Sequence, residues 1–229
     1  MEWGATGAAA IGSDVDVAVV VDVLSFTTTL TIAVERGIRV HPFRWKDERA
    51  AAYAAEHDAV LAGPRGPGVS LSSAAMLEVS GVKRIVLPSP NGSAISFGLA
   101  DGTATVVGAS LRNRMAVARW VPRGARVAVV AAGERWSDGS LRPAVEDLWG
   151  AGAVLAALVD LGHGDLSPEA RVAEQAFRAV VGSLETELMA CASGRELVDA
   201  GFRADVQVAA DLDVGNVVPV LRGRAFGAG

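Results

Sequence analysis

Asp22 closes an unbroken apolar run, Val17 to Val21, and is followed within a few residues by Ser25, Thr27, Thr28 and Thr29. A carboxylate at the exit of a buried strand, next to hydroxyls and free amides at a helix start, suits a metal-bound phosphate. The helix N-terminus stabilises the anion and the carboxylate holds a hard cation such as Mg²⁺. The same Asp serves equally as a simple helix cap, worth about 1 kcal/mol.

Three further turns have related chemistry. Gly63-Pro-Arg65-Gly66-Pro-Gly68-Val-Ser70 sets one Arg among residues that let the backbone approach a ligand, and a guanidinium binds phosphate or sulfonate bidentately. It has no Lys and does not match a P-loop, so a plain surface loop stands beside that reading. Pro88-Ser89-Pro90-Asn91-Gly92-Ser93 follows a strand and opens a helix, so Asn91, Ser93 and the local N–H groups form either an anion cradle or an Asn-Gly turn with a Ser cap. Gly108-Ala-Ser110-Leu-Arg112-Asn113 repeats the design, with Ser110 as a cap and Asn113 one turn into the helix.

Carboxylates recur late in the chain. Glu146 and Asp147 open a helix, where adjacent side chains point about 100° apart, so one at most is expected to face a given site. The alternative is a solvated acidic start favoured by the helix dipole. Asp205, Asp211 and Asp213 supply oxygen ligands suited to Mg²⁺ or Mn²⁺, or else surface and capping groups. His41, His57 and His163 are scattered, adjoin no nucleophile motif and receive no role.

The elements that must position these groups alternate. Strands are expected at Val17–Val21, Ile38–Pro42, Ala59–Ala62, Arg84–Leu87, Thr103–Val107 and Arg126–Ala131. Helices are expected between them at Thr27–Arg36, Lys46–His57, Ser72–Val79 and Ser110–Trp120. Beyond Arg142, helical periodicity takes over at Pro143–Leu161, Pro168–Ser183 and Ser193–Ala200, with a strand at Val217–Leu221. This predicts an α/β protein with a parallel or mixed sheet covered by helices and a helix-rich C-terminal part. Residues 13–131 are read as the sheet lobe carrying the anion-binding loops and 132–229 as a helix-rich lobe, packed as one compact unit.

Composition narrows the function. Hydrophobic residues make up 51% of the chain and aromatics only 5%, so the core must be built mainly from Ala, Val and Leu. A formal charge of −5 without a basic block argues against nucleic acid as a partner. Cys191 is the only cysteine, which excludes an internal disulfide and fits a cytoplasmic protein. No apolar run approaches the roughly 18 residues that span a bilayer, so no membrane partner is expected. A homodimer is the expected assembly for an apolar α/β enzyme of this size.

Taken together, VVVDVLSFTTT, the Gly63–Gly68 loop, PNGS, GASLRN, AVEDLWGAGAV and SGRELVDAGF with the following DV, DLD and VVPVL resemble the 2-phosphosulfolactate phosphatase family, in order, from about residue 16 to 223. The resemblance implies a family-specific α/β phosphatase fold, distinct from the haloacid dehalogenases. It also implies Mg²⁺ dependence and hydrolysis of 2-phosphosulfolactate to 3-sulfolactate and phosphate, on the route to coenzyme M. Carried onto this chain, it points to Asp22, Glu146 and Asp147 as catalytic and, with Asp213, metal-binding. Arg65, Asn91, Gly92, Ser93, Ser110 and Asn113 are then the substrate-binding set. Attack by a metal-activated water and formation of an aspartyl-phosphate at Asp22 both remain open.

Several positions depart from the family pattern. Ser25 stands where an Arg is frequent, Pro64 replaces an acidic residue, Pro88-Ser89-Pro90 replaces a Thr-rich run, and Ala131 stands where a Cys is common. Losing a cation at position 25 removes a charge-assisted contact worth about 1.5–3 kcal/mol, which points to a related phosphorylated hydroxy acid as substrate. The non-enzymatic alternative is an altered homologue that binds a small anion without turnover.

Overall fold

A computed structural model describes residues 1–44 and 47–229. In chain order the N-terminal part runs β1 (Glu2–Trp3), α1 (Gly4–Ile11), β2 (Val17–Val21), α2 (Phe26–Glu35), β3 (Arg39–Phe43), α3 (Glu48–Glu56), β4 (Val60–Leu61), α4 (Ser73–Glu78), β5 (Arg84–Pro88), α5 (Gly92–Leu99), β6 (Thr105–Ala109), α6 (Arg114–Trp120) and β7 (Val127–Ala131). There follow β8 (Glu134–Arg135), β9 (Leu141–Arg142), α7 (Val145–Asp160), α8 (Pro168–Val180), α9 (Leu184–Ala190), α10 (Ala192–Asp199), α11 (Arg203–Ala210), β10 (Pro219–Arg222) and β11 (Ala225–Ala228). The expected alternation is therefore present, and the C-terminal part is rich in helices. The start expected for the third helix, Lys46, lies outside the described residues.

The principal sheet has the order β1-β7-β2-β6-β10-β11-β3-β5-β4 and is mixed. β2 pairs in parallel with β6 and β7, with Val19 opposite both Val107 and Val129, while β5 pairs in parallel with β3 and β4. The antiparallel β10–β11 hairpin joins these two blocks through Val220↔Val107 on one side and Phe226↔Val40 on the other. The last residues of the chain thus sit mid-sheet. That placement was not legible from a four-residue segment with one strand-favouring residue, Phe226, whose strand character comes from its neighbours.

All five residues of β2 are buried, as the uninterrupted valines require of a strand covered on both faces. The period-2 alternation still sorts them: Val19 and Val21 pack in the cluster that holds Trp149, Leu155 and Phe177, whereas Val20 packs with Phe26, Leu30 and Met76. Gly152 lets α7 approach α8, because a Cβ there would lie 2.0 Å from the Ala173 carbonyl oxygen.

α2 is buried from Phe26 to Val34. Its threonines are tolerated inside because each hydroxyl bonds a backbone carbonyl, Thr28 to Val23, Thr29 to Leu71 and Thr31 to Thr27. Helices α1, α9 and α11 were not expected from the sequence. Each is only seven or eight residues long and follows a residue that makes no side-chain cap, so the span is too short for periodicity to mark it.

Candidate active site

Asp22 leaves β2 into a turn that its own atoms organise. The Thr27 hydroxyl donates to the Asp22 carbonyl at 2.8 Å, and the Asp22 N–H donates to that hydroxyl at 2.9 Å. Of the carboxylate oxygens, Oδ1 accepts from the Phe26 N–H at 3.1 Å and Oδ2 from the Gly92 N–H at 2.7 Å. The capping reading is therefore realised, and the same carboxylate also forms a wall of a cavity of about 130 Å³ shared with Ser25, Arg65, Leu71, Ser89, Asn91 and Glu134.

Gly92 makes the contact at Oδ2 possible. A Cβ at this position would lie 2.7 Å from the Cβ and Oδ2 of Asp22 and from the Phe26 ring. Asn91 beside it donates from Nδ2 to Glu134 Oε2 at 2.7 Å, which holds Glu134 on the cavity lining.

Sequence reasoning missed Glu134. It lies three residues beyond the end of β7, at the same kind of strand exit as Asp22, and that position was the available signal. Burial, then the charge of Asp22, push its carboxyl up to about 7, against the pull of the Asn91 hydrogen bond.

Glu146 and Asp147, in the first turn of α7, are both buried, at 2% and 3% exposure. Burial of both overturns the alternative of a solvated acidic helix start. The helix start plugs the gap between β2 and β7: Asp147 accepts from the Val23 N–H at 2.7 Å and from the Gly133 N–H at 2.8 Å. Burial, followed by the charges of Asp22 and Glu146, holds the Asp147 carboxyl well above the usual carboxylate range. Burial likewise raises Asp22, against the Gly92 and Phe26 amides, with Glu146 adding to the rise and Arg65 opposing it. Neither Glu146 nor Asp147 is on the cavity wall itself.

Arg65 is held in place from several sides. Nη1 donates to Asp205 Oδ2 at 2.5 Å and to the Leu71 carbonyl at 3.2 Å, and Nη2 donates to the Ser25 hydroxyl at 3.2 Å. Asp205 is 1% exposed and also accepts from the Ser72 hydroxyl and the Ala74 N–H, so it ties α11 to the Arg65 loop.

The other sequence candidates lie apart from the cavity wall. Ser93 bonds Phe43 and Leu87, cross-linking β3 and β5. Asn113 accepts from the Ser110 N–H and donates to Val217, so that this pair fastens the β6 exit to the chain entering β10. Asp213 takes Arg114 and the Met115 N–H.

The remaining donor set is all oxygen: Asp22 and Glu134 on the cavity, with Glu146 and Asp147 buried next to it. Like charges gathered out of water, with two carboxyls pushed up and Glu134 near 7, are what a hard divalent cation would relieve. Among the described residues no three of them already converge as a metal cage. Two carboxylates on the cavity are donors of the kind that Mg²⁺ would take, since it commonly binds one or two carboxylates and completes its shell with water and phosphoryl oxygens.

Among the described residues, no helix is long and apolar enough to cross a membrane. The sequence pattern of a family described as 2-phosphosulpholactate phosphatase matches residues 9–224. A Deinococcus radiodurans protein named "Probable 2-phosphosulfolactate phosphatase" is 33% identical over 90% of this chain and 88% of its own length. One of the same name from Thermus thermophilus is 34% identical over 91% and 89%, and one from Carboxydothermus hydrogenoformans is 31% identical over 88% and 84%.

Proposed function

The chain belongs to the 2-phosphosulpholactate phosphatase family, whose members are phosphoric monoester hydrolases, and on that premise we propose that it hydrolyses the phosphate ester of a small hydroxy acid of the 2-phosphosulfolactate type in the presence of Mg²⁺. The observation that carries this reading is the cavity of about 130 Å³, which Asp22, Glu134, Arg65 and Asn91 line together. It is of a size for a phosphoryl group and little more.

In this reading Asp22 would hold Mg²⁺ with support from Glu146 or Asp147, and the ion when bound would neutralise charge on the phosphoryl oxygens. Arg65, which lines the cavity, supplies the positive charge that orients the phosphate. Both oxygens of Asp22 already accept amide N–H groups, which favours a water nucleophile over Asp22 itself. Glu134, poised near neutrality and aimed by Asn91, takes the proton of the attacking water and returns one to the departing alkoxide.

The test is phosphate release from 2-phosphosulfolactate and related esters by wild type and Asp22→Asn, with Mg²⁺ and with chelator. Release that requires Mg²⁺ and falls at least a hundredfold in the variant is expected. No release from any ester by folded wild type overturns the hydrolytic reading in favour of an anion-binding homologue.

A further inference from the structure

The cavity of about 130 Å³ has room for a phosphoryl group, so the rest of an ester has to extend past its lining. Pro90, Asn91 and Glu134 line this cavity and also line a second hollow, of about 250 Å³, so the two volumes adjoin at these residues.

Arg135 belongs to the second hollow and follows Glu134 directly in β8. Its side chain is exposed but held: Nη2 donates to the Pro90 carbonyl at 2.8 Å, Nε to the same oxygen at 3.3 Å, and Nη1 to the Gly139 carbonyl at 3.2 Å. These acceptors are neutral, so they fix the guanidinium against the loop that carries Asn91 without cancelling its charge. Arg65 differs, because its charge is met by the buried carboxylate of Asp205. A guanidinium carries more N–H donors than these bonds to Arg135 use, and each terminal nitrogen keeps one for an oxyanion. The first turn of α1, which its N-cap Trp3 does not close with a side-chain bond, lines the same hollow at Gly4, Ala5 and Thr6, and its dipole adds to the preference for an anion. Glu134 lines both volumes and opposes an anion there. At about 7 its carboxyl is part protonated near neutrality, which leaves the attraction of Arg135 the larger effect.

We propose that Arg135 is a specificity-determining residue that takes the acid group of the substrate, a carboxylate or a sulfonate, while the phosphate lies in the adjoining cavity. The inference deepens the hydrolytic reading and rests on its placing of the phosphate beside Asp22 and Arg65. In a phosphorylated hydroxy acid the acid group sits close to the carbon that bears the ester oxygen, so a phosphate in the cavity carries that group no further than the neighbouring volume.

The deciding experiment is equilibrium binding of three non-hydrolysable phosphonates to the full chain with Mg²⁺, for wild type and Arg135→Gln. The three are identical except that one carbon bears a carboxylate, a sulfonate or a methyl group. The readout is the advantage of each acid over the methyl compound, so any general weakening of the phosphate site by the substitution cancels. Arg135→Gln is expected to reduce that advantage about tenfold, the low end for a charge-assisted contact. A reduction of threefold or more for one acid supports the proposal and identifies the group that Arg135 takes, and such a reduction for both supports it for either group. A reduction below threefold for both acids overturns it. Because binding is read without turnover, absence of phosphate release in the separate assay overturns the hydrolytic reading alone, whereas release with an unmoved advantage overturns this inference alone.

Discussion

The backbone N–H of Gly92 donates to Oδ2 of Asp22 at 2.7 Å, joining the exit of β5 to the exit of β2 across 70 residues of sequence. The contact requires glycine, because a Cβ at 92 would lie 2.7 Å from Asp22 and from the Phe26 ring. Gly92→Ala is expected to push Asp22 off its present position, lowering phosphate release at least tenfold and stability by about 1–3 kcal/mol. Steady-state kinetics with thermal unfolding would check it, and a fully active variant would mean that Asp22 need not be held there.

Glu134 sets a pH dependence of stability. Its carboxyl titrates at about 7 in the folded chain against an ordinary 4.5, so between those values the folded state holds more protons than the unfolded one. Stability contributed by this group is full below about 4.5 and is lost as pH rises through about 7, an effect on the order of 3 kcal/mol. Asp22 and Asp147, also raised, act in the same direction. Chelator-treated protein should therefore melt at a lower temperature at pH 7.5 than at pH 5.5, and Glu134→Gln should flatten the curve. A melting temperature that rises across this range would show that the carboxylates are not crowded as described.

Added Mg²⁺ should reverse that trend. A divalent cation binds the ionised forms, so its stabilisation should be large at pH 7.5 and small at pH 5, reaching about 2.7 kcal/mol at a hundredfold excess over Kd. Melting curves at both pH values would report it. An equal shift at both, or one that survives in Asp22→Asn, would place the cation elsewhere.

Asp205 acts through Arg65. Asp205→Ala removes the buried partner of a guanidinium and the acceptor for Ser72 and Ala74, and should cost about 3–5 kcal/mol of stability. Asp205→Asn keeps an acceptor oxygen and the volume but frees the charge of Arg65. It should fold, and should change KM more than kcat. An Asn variant with wild-type KM would confine Asp205 to a structural role.

The alternating elements were legible in the chain, because valine runs, helix-stop glycines such as Gly37 and period-2 or helical spacing are local properties. It also marked Asp22, Arg65, Asn91 and Gly92, since a carboxylate or a glycine turn at a strand exit is visible without knowing its neighbours. Which polar turns face one another depends on the fold. Ser93, Ser110 and Asn113 look like Asn91 in sequence, yet the polar atoms of Ser93 and Asn113 are taken up by backbone groups of adjoining strands and segments, and the Ser110 hydroxyl by the Thr31 and Asn113 side chains. Glu134 and Asp205 owe their importance to partners 43 and 140 residues away, Asn91 and Arg65. Burial and hydrogen-bond partnership are long-range quantities, set by which strand exits the fold brings together, and no local pattern of residue types carries them.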